Sequence, residues 1–300
     1  MAGALDKRTT AGALLLGGVL AVASPTIASA QGRGNQGHGH GSPPSSSPLP
    51  GVTAPPPGIG ATPIPWIDDA NLMPSGAMSV DVSMSHWAGD QIGETTLPAI
   101  NVAIGLADRF QVAVSVPHIV GDEASGVAGG LGTTYVSGKY AAFVSDRGVK
   151  VAVAPTLELL GTGVLSALGA DETRAQFGVP VSLEIDGNER RVYCSSGWFS
   201  RGVWFAGAGV ALQLRRRVGV SGSFSRSWTS PVSDAIDRSR DRAEFSGGIG
   251  VAVASHTSLF GSVSHTIATT AENGAGATIS AGMSFYVAPA RAAGPAPPRR

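Results

Sequence analysis

"SVDVSMS", residues 79–85, alternates polar and apolar residues without a break. In an extended chain Ser79, Asp81, Ser83 and Ser85 share one face, and Val80, Val82 and Met84 share the other. Such a strand fits a soluble sandwich, whose apolar face meets a core. It fits a membrane barrel equally well, whose apolar face meets lipid. The rest of the chain decides between them.

The first 30 residues read as a cleavable secretory signal. Lys7 and Arg8 form a positive n-region, and Ala11 to Ala23, "AGALLLGGVLAVA", form the apolar stretch. Ala28-Ser29-Ala30 supplies the small residues of a cleavage site, and Gln31 follows where a lipoprotein would carry cysteine. The apolar run is too short to span a bilayer, which takes about 20 residues. Processing is expected between Ala30 and Gln31. N-terminal sequencing of the membrane-fraction protein checks this, and an intact Met1 would refute it.

Setting aside Lys7, Arg8 and Asp6 from 21 basic and 21 acidic residues leaves 19 and 20. So balanced a charge gives no footprint for nucleic acid. Cys194 is the single cysteine, so no intramolecular disulfide can form; it reads as a small packing residue. Residues 31–75 are rich in Gly, Ser and Pro and have little to bury, which reads as a flexible segment. His38 and His40 within it are two imidazoles without a third ligand, too few for a structural metal site.

From Gly76 the texture becomes strand after strand. Twelve are expected, at about 77–87, 96–106, 110–120, 133–144, 149–160, 173–185, 190–199, 202–214, 218–228, 242–253, 258–267 and 277–287. Most are about ten residues long, the length of a tilted strand crossing a bilayer. The connections sort into two sets. "ADR", "SDRG", "DGNE", "RRR" and "ASHT" are short polar turns, whereas 88–95, 121–132, 161–172, 229–241 and 268–276 are longer. Short periplasmic turns alternating with longer outer loops are a property of outer-membrane barrels. The connection near Ser200 and Arg201 is the one departure.

The fold expected is therefore all-β: a closed antiparallel transmembrane barrel over 76–287, with a flexible tail at 288–300. Its outer face would carry Val80, Val82 and Met84, then Phe110, Val112, Val114 and Val116, then Val149, Val151 and Val153. The opposite faces are small and polar, as a lumen requires. They place Asp81, Lys139, Lys150, Glu158, Glu184, Arg242 and Glu244 inside as candidate lumen-lining charges. Trp87, Trp198, Trp204, Trp228, Phe285 and Tyr286 lie near strand ends, where interfacial rings are favoured.

"GLADRFQVAVSVP" (105–117) and "GLGTTYVSGKYAAF" (130–143) resemble motifs of the outer-membrane proteins grouped as the MetA-pathway phenol-degradation family. Thr133 stands where an acidic residue is common in that family. The resemblance implies a channel in the outer membrane of a Gram-negative bacterium, serving passive uptake of small molecules that include hydrophobic or aromatic compounds. The partners implied are outer-membrane lipid, a small-molecule permeant and the barrel-assembly machinery.

Two other functions stay open at this stage. One is a structural or adhesive barrel that transports nothing. The other is a lipid hydrolase using Ser with His86, His118, His256 or His265. Neither a Gly-x-Ser-x-Gly elbow at a strand-to-helix turn nor His-Glu-x-x-His occurs, so no catalytic, metal or cofactor-binding residue is singled out and no enzyme is expected. "GVAGGLG" (126–132) lacks the lysine of a phosphate-binding loop.

Overall fold

A computed structural model describes residues 69–89, 93–121, 129–162, 175–187, 189–200, 203–229, 242–269 and 276–287. The signal, residues 31–68, the tail 288–300 and most of the longer connections lie outside these. The strands are β1 (Met78–Gly89), β2 (Gly93–Ala107), β3 (Phe110–Val120), β4 (Gly130–Leu131) and β5 (Thr134–Val144). β6 (Val149–Val153), β7 (Thr156–Leu159), β8 (Ala175–Gly178), β9 (Val181–Asp186) and β10 (Arg190–Phe199) follow. β11 (Val203–Arg215), β12 (Val218–Thr229), β13 (Arg242–Ala254), β14 (Thr257–Thr269) and β15 (Gly276–Val287) complete the sheet.

These make twelve antiparallel crossings of one closed barrel. β4 is a two-residue addition beside the outer end of β3. β6 with β7 forms one crossing, interrupted at Ala154–Pro155, and β8 with β9 forms the next, interrupted at Val179–Pro180. The two interruptions are neighbours, because Val153 pairs with Val181 and Thr156 with Gly178. Proline has no N–H to give the ladder. The carbonyls of both prolines are still used: Ala154 N donates to Pro180 O (2.9 Å) and Gly138 N to Pro155 O (3.0 Å). Closure comes from β1 on β15, with Met78 opposite Val287 and Gly89 opposite Gly276. A bilayer has no water to satisfy an open edge, so a ring is the arrangement lipid permits.

Each crossing is polar inside and apolar outside. Val82, Met84, Phe245, Ile249 and Val253 are exposed on the outer surface, while Asp81 is buried within. The valines and Met84 of the opening stretch thus turn outward. All round the barrel Val, Ile, Leu, Phe and Met are exposed on the outer face, a belt that only hydrocarbon covers favourably. Among the described residues no helix is long and apolar enough to cross a membrane; crossing is done by strands.

Three sequence expectations change. First, residues 88–95 do not form a long connection, because Ala88 pairs with Gly93 and only 90–92 separate β1 from β2. The alternation of β2 is reset by an irregularity between Thr96 and Ala99, where Pro98 sits without costing a ladder bond. Second, Trp87 and Tyr286 turn inward. Trp87 is buried, and Tyr286 packs on the buried cluster of Met73, Ala77, Ala103 and Ala113. Trp204 and Phe285 do lie exposed on the outer face. Third, packed chain begins before residue 76: Asp69, Ala70, Asn71 and Met73 are all buried.

Candidate functional site

Residues 69–77 form a strap that precedes β1 and lies inside the barrel. The short turns 108–109, 145–148, 216–217 and 255–256 all fall at the barrel end where β1 begins, so the strap enters from that end. It has no periodic pattern and no ladder of its own. Its polar groups are satisfied by side chains of the wall instead.

Side chains of three strands, β3, β5 and β9, meet the strap's backbone amides and carbonyls. Ala70 N donates to Glu184 Oε2 (3.2 Å) and Met73 N to Gln111 Oε1 (2.7 Å). Lys139 Nζ donates to the carbonyls of Asp69 (3.1 Å) and Asn71 (3.3 Å), and Ser182 Oγ to that of Asp69 (2.9 Å). The side chains are held too. Asn71 Nδ2 donates to Glu184 Oε1 (2.7 Å), and its Oδ1 accepts from Lys150 Nζ. Arg191 donates to Asp69 Oδ2 (2.7 Å), a charge-assisted bond and ion pair in one.

The charges balance. Asp69, Glu184 and Asp186 face Lys139, Lys150 and Arg191: Lys139 lies 3.7 Å from Asp69, and Lys150 lies 3.7 Å from Glu184 and 3.5 Å from Asp186. Buried charges persist only when paired or solvated, and here the strap supplies the acid that completes the set.

Near its exit the strap crosses Gly105 so closely that a Cβ there would stand 2.2 Å from Pro74 O and 2.5 Å from Met73 O. Glycine is required by that approach. Gly76 N donates to Gly105 O (2.8 Å) and Gly105 N to Ala77 O (3.0 Å), which lead the strap into β1.

Of the seven sequence-expected lumen charges, the structure brings Lys139, Lys150 and Glu184 together under the strap. Asp81, Glu158 and Glu244 are buried inward elsewhere on the wall. Arg242 begins β13, and its side chain lies outside the described residues. Sequence reasoning missed Asp69, Asn71, Asp186 and Arg191. The alternation of 190–199 puts Arg191 on the face of Tyr193 and Ser195, so that residue had a usable signal.

The wall opposite the strap is different. The inward residues of β12 to β15 are largely Ser and Gly, among them Ser223, Ser246, Ser262 and Ser280. Ser223 bonds Ser246 (2.8 Å) and Ser262 bonds Ser280 (2.6 Å), pairing hydroxyls across neighbouring strands. Ser221, Ser223, Ser246 and Ser262 are partly exposed although they face inward. The strap therefore fills one side of the lumen, and on the other side these four serines stay partly exposed while Ser225, Ser227, Ser258 and Ser280 are buried.

Comparison with solved structures bears on the architecture. The chain is similar to the outer membrane channel COG4313 of Pseudomonas putida F1, at 13% identity with a TM-score of 0.54, over 73% of this chain and 98% of that one. It is similar to the NanC porin, at 10% identity and TM-score 0.52, over 69% and 98% of the two chains. A KdgM porin in complex with disordered oligogalacturonate matches at 8% identity and TM-score 0.51, again over 69% and 98%. No family model and no curated protein matches the chain. At such identities the shared property is the fold: a closed outer-membrane barrel. That fold and the continuous apolar belt place the protein in the bacterial outer membrane.

Proposed function

We propose that the protein is an outer-membrane channel for passive uptake of small molecules, with the strap setting how much of the lumen is open. The observation that carries this reading is the two-sided lumen. One wall is occupied by a strap held through hydrogen bonds and ion pairs, and the other is lined by small hydroxyl side chains that remain partly exposed. A barrel needed only as a structural body gains nothing from an accessible inner wall of Ser and Gly.

The likeness of motifs 105–117 and 130–143 to the MetA-pathway phenol-degradation family supports membership of that group, with hydrophobic or aromatic permeants. Outer-membrane lipid would cover the belt, and barrel-assembly machinery would insert the chain. Hydrolysis forms no part of the proposal. His86 Nδ1 meets Thr95 Oγ1 (2.9 Å) and His118 Nδ1 meets Leu97 O (3.2 Å), contacts that orient these two exposed rings. His256 stacks on Tyr286 at 6.5 Å.

Reconstitution in planar bilayers tests the reading. Discrete single-channel steps are expected from the full mature chain. A bilayer that stays closed at all voltages, with protein shown to be inserted, would overturn transport and leave the structural or adhesive barrel.

A further inference from the structure

Four basic side chains on the lipid-facing surface share one level. His86, His118, Arg226 and His265 are exposed, while Trp87, Ile119, Ser225, Ser227 and Thr266 beside them in the chain are buried inside. Each of the four lies on a strand that starts at the short-turn end. The steps from Met78 to His86, from Phe110 to His118, from Val218 to Arg226 and from Thr257 to His265 are all eight residues. Two, four and six residues after each of those starts, the outward residue is Val, Leu, Met, Phe or Gly. Apolar surface thus gives way to basic groups at the same count on four strands. Those strands, β12, β14, β1 and β3, follow one another round the barrel with a single strand between each and the next, so the four groups lie on one arc.

The count places the level. Strands rise about 3.3 Å per residue and tilt by about 40°, so eight residues climb about 20 Å. The apolar band of such a barrel is about 25 Å tall, and its short turns face the periplasm. The arc therefore lies in the outer part of the band, at the outer leaflet. Tryptophans mark the same height. Trp198 is eight residues after Arg190, the start of β10; it pairs with Trp204, and Trp204 with Trp228. Indole rings collect where hydrocarbon meets headgroups.

We infer that this arc binds an outer-leaflet lipid that carries phosphate on its headgroup. The inference concerns the outer surface and holds whether or not the lumen conducts. Among the described strand residues no acidic side chain shares that surface: Asp81, Glu94, Glu158, Glu184 and Glu244 are buried inside, and Asp186 pairs with Lys150. A basic group on a lipid face is favourable where it reaches anionic headgroups. The planar fork of Arg226 suits phosphate oxygens in particular. The imidazoles suit the same ligand. His86 Nδ1 is engaged by Thr95 Oγ1 and His118 Nδ1 by Leu97 O, so Nε2 is the nitrogen each ring has to offer a headgroup.

The test titrates the full mature chain, folded in detergent micelles, with diphosphoryl lipid A and counts bound lipid by native mass spectrometry. Binding should be tighter than to the same lipid stripped of its phosphates, and tighter than to phosphatidylglycerol. Arg226→Gln should weaken it about five-fold, and adding His265→Gln should weaken it again. Arg190→Gln removes an exposed arginine at the opposite end of the barrel and should leave it unchanged. Heat-modifiable migration shows that each variant has folded, which these exposed positions favour. Equal affinity for the phosphate-free lipid, or an Arg226→Gln variant that binds like the wild type, would overturn the site. Phosphatidylglycerol bound as tightly as lipid A would overturn its assignment to an outer-leaflet lipid.

Discussion

Asp69→Ala should release the strap and raise single-channel conductance several-fold. Asp69 is the strap's only carboxylate among the described residues, and it meets Arg191 at 2.7 Å and Lys139 at 3.7 Å. Removing one member of a buried ion pair costs about 3–5 kcal/mol when the other must stay buried. The strap offers a way round that cost, because it can leave the lumen without breaking a single ladder bond. A loss of about 3 kcal/mol lowers strap occupancy on the order of 100-fold. The barrel itself should persist, with heat-modifiable migration retained. Gly105→Val attacks the same contact from the wall, since its Cβ would collide with Pro74 O. The two variants share no hydrogen bond, so a common rise in conductance would point to the strap itself. Wild-type conductance in both would show that the strap does not limit flow.

Much of the barrel was readable because lipid and water impose their demands on every strand separately. "FQVAVSVPHIV" needs no partner to show that Phe110, Val112 and Val114 turn one way and Gln111, Ala113 and Ser115 the other. The lumen charges Asp81, Lys139, Lys150, Glu158, Glu184 and Glu244 follow from the same period of two. The strap was not readable. "DANLM" (69–73) carries no periodicity and sits after a run of Gly and Pro, so its composition matches the linker before it. Its order comes from Gln111, Lys139, Ser182, Glu184 and Arg191, residues 38 to 122 positions distant. Local pattern cannot hold that information. The first outer connection was expected to be longer for a related reason: Gly89, Asp90 and Gly93 read locally as loop, and only the pairing of Ala88 with Gly93 across the two strands shows that both continue.

Val153→Arg should cripple folding into bilayers, and it discriminates the two faces of one crossing. Val153 pairs with Tyr140 and Val181, both exposed on the outer surface, near the middle of the crossing made by β6 and β7. An arginine on the lipid face near the bilayer midplane costs about 2–4 kcal/mol, a large share of the 5–15 kcal/mol that holds a typical domain. Lys150, three residues away, lies on the inner face in contact with Asn71 and near Glu184 and Asp186. Lys150→Ala should therefore disturb the strap network while the barrel still forms. Folding yield into vesicles and urea unfolding of the two variants give the comparison. Val153→Arg should lose most of its folded band and shift its midpoint to lower urea. Lys150→Ala should keep the band and change conductance instead. If Val153→Arg folds as well as the wild type while Lys150→Ala does not, the outer face of this crossing does not meet hydrocarbon, and the apolar belt would need another partner.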